Sequence, residues 1–274
     1  MVSKELWDLL LRHRIYILAL GDPGQLGPVR AADDLGLLKK PHVFLDEIMR
    51  QAEGNEIIKL SMNIRYGMPL MNFQGNHVQI INKDELSTGM LTWADQILCA
   101  KNETRFQLNK QLREINGHTS EPEIGDKIIC LKNYWDEISL EQATPLVNGT
   151  LGYITAVKKQ FNTVANCEVL KMSFVSELGE TYEDLIIDYK LLMYNTPSLT
   201  RADFGRMSRN SLNARNIPKE FAFGYAITTW KAQGSEWDNI LLLEEAFPYA
   251  ADEHKRYLYT GVTRASQKIV VVKK

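Results

Sequence analysis

The segment Ala226–Asp238, reading AITTWKAQGSEWD, lies between Phe221–Tyr225 and the apolar run Asn239–Leu243. Thr228, Thr229, Lys231, Gln233, Gly234, Ser235 and Glu236 are crowded between two strand-like stretches. Such a polar cluster is poor core material. Rigid flanks can instead hold it at the surface, where connecting segments carry function. Gly234, having no Cβ, suits close approach of backbone to a ligand.

Three further blocks stand around it. Leu18–Val29 reads LALGDPGQLGPV; the run Ile15–Leu20 is expected to be a buried strand that Gly21-Asp22-Pro23-Gly24 ends sharply. Phe44–Arg65 reads FLDEIMRQAEGNEIIKLSMNIR, and Tyr257–Ala265 reads YLYTGVTRA. In chain order the four blocks resemble motifs III, IV, V and VI of superfamily 1 helicases in the RecD-type branch. The resemblance implies that Gln25, Arg50, Gln51, Gly234, Glu236 and Arg264 serve ATP, with Gln25, Arg50 and Arg264 acting on the transferring phosphoryl group. It also implies that Thr228, Trp230 and Lys231 meet single-stranded DNA. Phosphoryl transfer is catalysed mainly by positioning and positive charge, which planar, permanently charged guanidinium groups supply.

Several of these residues have plainer readings. Arg50 is spaced to pair with Asp46 on a helix surface, Gln25 follows a turn that polar residues commonly build, and Glu236 suits a helix start. Trp230 departs from the family, which usually has His there. An indole can stack on a base or pack against the adjacent domain, and both readings stay open. Gly27, where the family often has Pro, leaves the turn intact.

No GxxxxGK[ST] phosphate loop occurs anywhere in the sequence. The resemblance therefore implies the C-terminal portion of a helicase whose ATP and Mg2+ are held largely by residues outside this chain. No metal ligands are expected here, and the isolated chain is expected not to hydrolyse ATP. The parent would translocate on single-stranded DNA, 5′ to 3′. The alternatives are a stand-alone nucleic-acid-binding protein, or a RecD-like subunit without ATPase activity that joins nuclease-complex subunits.

The chain has 274 residues, 45% of them hydrophobic, enough for about two domains. Its net charge of −2 gives no global signal for nucleic acid, so a DNA site must be a local patch. The densest basic run, Arg201, Arg206, Arg209, Arg215 and Lys219, is either a DNA-facing loop or a solvated linker. Cys99, Cys130 and Cys167 form neither a zinc pattern nor a disulfide framework, which fits a reducing cytoplasm. No apolar run or leader suggests a membrane or secretion.

Strand and helix alternate through Gln96–Ala100 and Glu103–Ile115, as in a parallel α/β sheet. From Glu123 to about Lys190 short β-rich runs take over, bounded by Asn133, Asn148-Gly149, Asn162 and Gly179. Their spacing suggests a small antiparallel barrel, and GDKIICLKN (Gly125–Asn133) and LVNGTLGYI (Leu146–Ile154) are similar to the SH3-like insert of RecD-type helicases. The expected fold is an α/β, parallel-sheet RecA-like motor domain with that insert, plus part of a first motor domain. The expected boundaries are 1–40 for the first motor domain, 41–122 with 216–274 for the second, and 123–215 for the barrel.

Overall fold

The computed structural model describes residues 4–27, 41–43, 55–209 and 216–274. Its helices are α1 (Lys4–Arg12), α2 (Glu56–Arg65), α3 (Thr88–Trp93), α4 (Asn102–Ile115), α5 (Tyr189–Tyr194), α6 (Arg201–Ser208) and α7 (Ala251–Val262). The strands before α4 are β1 (Phe73–Gln74), β2 (Val78–Ile81) and β3 (Gln96–Cys99). The middle of the chain adds β4 (Lys127–Cys130), β5 (Tyr134–Ile138), β6 (Pro145–Leu146), β7 (Leu151–Asn162), β8 (Cys167–Ser176) and β9 (Thr181–Asp188). Then follow β10 (Phe221–Phe223), β11 (Ala226–Thr228), β12 (Trp237–Leu243) and β13 (Ala265–Val272).

The chain divides into two compact units, one of Met1–Asn102 with Thr228–Lys274 and one of Glu103–Ile227. The first is built on the strands β1-β2-β13-β12-β3, of which β2, β13, β12 and β3 run parallel; β11, where the chain passes from the second unit back to the first, continues the sheet beside β3. Parallel strands are covered on both faces and so read as continuous apolar runs. Ile240–Leu242 and Val270–Val272 are such runs, and all six residues are buried. Helix α2 starts at Asn55, whose side chain accepts the Ile57 N–H at 2.8 Å, and it buries Ile57, Leu60 and Ile64 at helical spacing.

The carboxylate of Glu56 reaches from α2 to the start of β2, accepting N–H bonds from Asn76 (3.3 Å), His77 (2.7 Å) and Val78 (3.1 Å). These bonds, that of His77 above all, hold its carboxyl below the ordinary 4.5. A depressed carboxyl stabilises the fold above its unfolded pKa, and that contribution fades as pH falls through the folded value. Glu56→Gln should therefore remove part of the pH dependence of unfolding below about pH 4.5. Acid titrations followed by circular dichroism check this; identical slopes for variant and parent would refute it.

The run Ile15–Leu20, expected as a buried strand, is neither strand nor buried: Ile15, Leu18 and Leu20 are 58%, 83% and 82% exposed. A parallel strand exists only by exchanging bonds with neighbours. Among the described residues none pairs with this run.

In the second unit, β10-β4-β7-β8-β9 form an antiparallel sheet, and β5 and β6 a separate ribbon. Phe174 lies 5.2 Å from the Tyr182 ring and 5.5 Å from that of Phe221 at the centre of its core. A Cβ at Gly152 would run into the Val175 carbonyl oxygen, so only glycine lets β7 lie this close to β8.

The barrel expected here is not closed among the described residues. Lys219, on the approach to β10, bridges Ile187 of β9 through Lys219 N–H to Ile186 O (2.7 Å) and Asp188 N–H to Lys219 O (2.9 Å). The two ends of the sheet are joined by this isolated bridge, short of a continuous ladder. The Asn148-Gly149 turn does not join a hairpin. Thr150 N–H bonds Val147 O, and φ is positive at Gly149 (95°) but not at Asn148, as in a type II turn. Such turns splay strands rather than pair them, and β6 and β7 accordingly pair with different partners.

Helix α4 is tied to β4 by a buried ion pair. Arg113 Nε and Nη2 donate to the two Asp126 oxygens at 2.7 and 2.9 Å, and Nη2 also donates to Glu121 O at 2.6 Å. Asp126 further accepts the Glu123 N–H (2.9 Å) and the Tyr225 hydroxyl (3.1 Å). No described helix is long and apolar enough to cross a membrane.

Candidate functional site

The polar segment after β11 begins where Thr229 N–H bonds Cys99 O at 3.0 Å, at the carboxyl end of β3. It turns at once, with Thr228 O accepting from Lys231 N–H (2.8 Å) and Ala232 N–H (3.2 Å). It ends at the amino end of β12, where Trp237 N–H bonds Arg264 O at 3.0 Å. The segment thus crosses from one end of the sheet to the other and carries a different group at each.

At the β12 start, three separate blocks of sequence meet. Gln233 Nε2 donates to Leu26 O at 2.9 Å, and Leu26 N–H donates to the buried Thr260 Oγ1 at 2.9 Å. The turn before Leu26 is fixed by Gln25 N–H to Asp22 O (3.2 Å) and Gly24 N–H to Asp22 Oδ1 (2.8 Å). The Tyr259 hydroxyl donates to Asp22 Oδ2 at 2.8 Å. Burial, reinforced by that carboxylate, pushes the phenol up to about 12. Arg65 of α2 lies 5.9 Å from the same ring.

Arg264 is 6% exposed. Its Nε donates to Thr260 O, Nη1 to Ser235 O and Nη2 to Thr263 Oγ1, each at 3.1 Å. These three acceptors are uncharged oxygens that fix the plane of a permanently positive group. Among the described residues the buried Gln233 Oε1 has no hydrogen-bond partner, and a buried acceptor left this way invites an explanation. Gly234 has φ +93°, with open space where a Cβ would stand, and Glu236 is exposed two residues on.

At the other end of the segment, Trp230 is half-buried, 6.1 Å from the Tyr257 ring at 26° and 6.0 Å from Phe247. Tyr257 is wholly buried and donates to Leu243 O at 2.5 Å, at the carboxyl end of β12. Trp230 therefore packs on one side and keeps part of its surface in solvent. Lys231 is half-buried and Thr228 is 7% exposed.

The structure thus brings the Gln25 turn, Gln233 and the Thr260–Arg264 stretch together and puts Trp230 in a separate aromatic group. Arg50 and Gln51 lie outside the described residues, as does Arg215. Of the basic run, Arg201, Arg206 and Arg209 are exposed. Lys219 is not part of a solvated face: it is buried, with Nζ 2.7 Å from Glu137 Oε1. Sequence reasoning missed Thr260 and the Asp22–Tyr259 bond. Helical spacing held the signal for the first, since Tyr257, Thr260 and Arg264 are three and four residues apart.

Residues 223–272 match the UvrD-like helicase C-terminal domain. Among solved structures, the chain is similar to the Pif1 helicase from Candida albicans, with 16% identity, TM-score 0.51, and coverage of 92% of this chain and 62% of that one. It also matches the Pif1 helicase from Bacteroides in complex with ADP-AlF3 and ssDNA, with 14% identity, TM-score 0.44, and coverage of 82% and 50%. The Bacteroides Pif1 bound to ssDNA matches with 16% identity, TM-score 0.42 and the same coverages. The chain thus spans between half and 62% of these helicases.

Proposed function

We propose that this chain is the C-terminal portion of an ATP-dependent DNA helicase of superfamily 1, in the RecD-type branch, that moves 5′ to 3′ along single-stranded DNA in the cytoplasm. On this reading residues 1–40 belong to a first motor domain, 41–122 with 216–274 to a second, and 123–215 to an SH3-like insert. The observation that carries the proposal is the meeting of Gln233 and Thr260 on the turn that holds Gln25, one helical step from Arg264. Blocks singled out separately in the sequence converge there on a fixed guanidinium and on an acceptor that has no partner among the described residues.

This set suits ATP. Arg264, Gln25 and, on the family resemblance, Arg50 and Gln51 would serve its phosphates, with Gly234 and Glu236 beside the sugar. Gln233 Oε1 would take a hydroxyl or an ordered water. ATP supplies the phosphoryl group, and these residues position and stabilise it. Mg2+ and the phosphate cradle come from the rest of the parent, so this chain alone should hydrolyse ATP no faster than buffer.

Thr228, Trp230 and Lys231 serve the strand. Binding to single-stranded DNA should be weak, salt-sensitive and indifferent to sequence, since phosphate contacts and stacking carry no base code. Fluorescence anisotropy with unrelated oligonucleotides tests this, and strong discrimination between sequences at equal salt would sink it. Trp230→Ala should weaken binding by about 1–3 kcal/mol with little loss of stability. Unchanged binding together with a stability loss of about 3–5 kcal/mol would make Trp230 a packing residue only.

A further inference from the structure

Trp230 is one ring of a longer aromatic series. Phe247 lies 6.0 Å from it, and Tyr249 meets Phe247 edge-on at 5.6 Å and 87°. Exposure rises along the series, from Tyr257 at 0% through the half-buried Trp230 and Phe247 to Tyr249 at 80%. A single exposed aromatic is ordinary. An exposed ring ending a series that begins in the core is less so, because its position is fixed by the rings behind it.

The loop that carries Tyr249 is held on both sides. Glu245 accepts the Ala100 and Lys101 N–H groups at 2.5 and 2.9 Å. Glu244 bonds the His254 ring at 3.1 Å and the Lys274 N–H at 3.2 Å. Pro248 is buried between Phe247 and Tyr249. A ring presented by a braced loop loses little freedom when something stacks on it.

The place in the fold also favours a ligand. The loop follows β12 and its glutamate caps the backbone just beyond β3, so the series stands at the carboxyl ends of two parallel strands. In open α/β sheets ligands bind outside those ends. Lys101 and Lys231, both half-buried, lie on the connections that leave β3 and β11.

We propose that Tyr249, braced by Phe247, is a second stacking residue for the bases of single-stranded nucleic acid, continuing the surface begun by Trp230. The proposal rests on the functional reading above and extends it to a residue outside every motif block. Every base has a π-face, so Tyr249 adds affinity and tolerates any sequence.

The test measures single-stranded DNA binding by anisotropy for the parent chain, Tyr249→Ala, Tyr249→Phe and Trp230→Ala, with oligonucleotides that carry bases or are abasic. Tyr249→Ala should weaken binding about five-fold or more, Tyr249→Phe should not, and the salt dependence should be unchanged. On abasic strands the difference between the parent and Tyr249→Ala should vanish. If Tyr249→Ala binds like the parent while Trp230→Ala is weakened, the proposal fails and the functional reading stands. If the parent binds no single strand at all, or if Tyr249→Ala abolishes capture of a proline-rich peptide while DNA binding is unaltered, the base-stacking role is wrong. Tyr249 is 80% exposed, so its truncation should leave the thermal midpoint in place.

Discussion

Asp126→Ala is expected to destabilise the Glu103–Ile227 unit by about 3–5 kcal/mol, the range for removing one partner of a buried ion pair. The Asp126 side chain is fully buried and that of Arg113 is 7% exposed, so the substitution strands a guanidinium where water cannot reach it. It also strips acceptors from the Glu123 N–H and the Tyr225 hydroxyl. Part of the loss is the packing of Arg113 on the Phe223 ring, 4.4 Å from its centroid, which depends on the guanidinium staying in place. Urea titration followed by circular dichroism measures the effect. A loss below about 1 kcal/mol would mean that solvent enters this joint. Replacing both partners with apolar residues of similar volume should cost much less than either single change, since no charge is then left unpaired.

Phe174→Ala should destabilise the same unit by a similar amount, about 3–5 kcal/mol. Phe174 is fully buried, stacked with Tyr182 and in a T-shaped contact with Phe221. Truncation therefore loses apolar transfer, two aromatic contacts, and the atoms that filled the space between strands. Phe161, 58% exposed near the end of β7, is the control, and its alanine variant should change stability by no more than about 0.5 kcal/mol. Equal effects at the two positions would place the core elsewhere.

How far the sequence reveals all this depends on what each element needs from its neighbours. The run Asn239–Leu243 within β12 and the helix expected over Glu103–Ile115 were legible because their apolar run or period matches their own burial. Val78–Ile81 was not, since four residues between polar stretches carry too short a pattern. Ile15–Leu20 shows the opposite error: its apolar character is real, but strand formation is a property of pairs. In the site, Gln233 and Arg264 could be picked out by motif. The bond from Thr260 to Leu26 joins residues 234 positions apart, and no local pattern encodes it. Lys219 misled for a related reason: a lysine reads as solvated until the fold supplies a carboxylate such as Glu137.

The chain leaves its first unit at Asn102 and comes back at Thr228, and Thr229 is bonded to Cys99. Departure and return are therefore neighbours, and this constrains the order of assembly during synthesis. Strands β12 and β13 must join β3 and β2 after the whole of Glu103–Ile227 has been made. Closing an unstructured loop of about 125 residues costs roughly 4 kcal/mol in chain entropy before any of that pairing is rewarded. A middle segment that folds first, with its ends already side by side, removes most of that penalty. Damage to the Arg113–Asp126 joint would then reach the parallel sheet without touching it, by slowing the step at which its last two strands arrive.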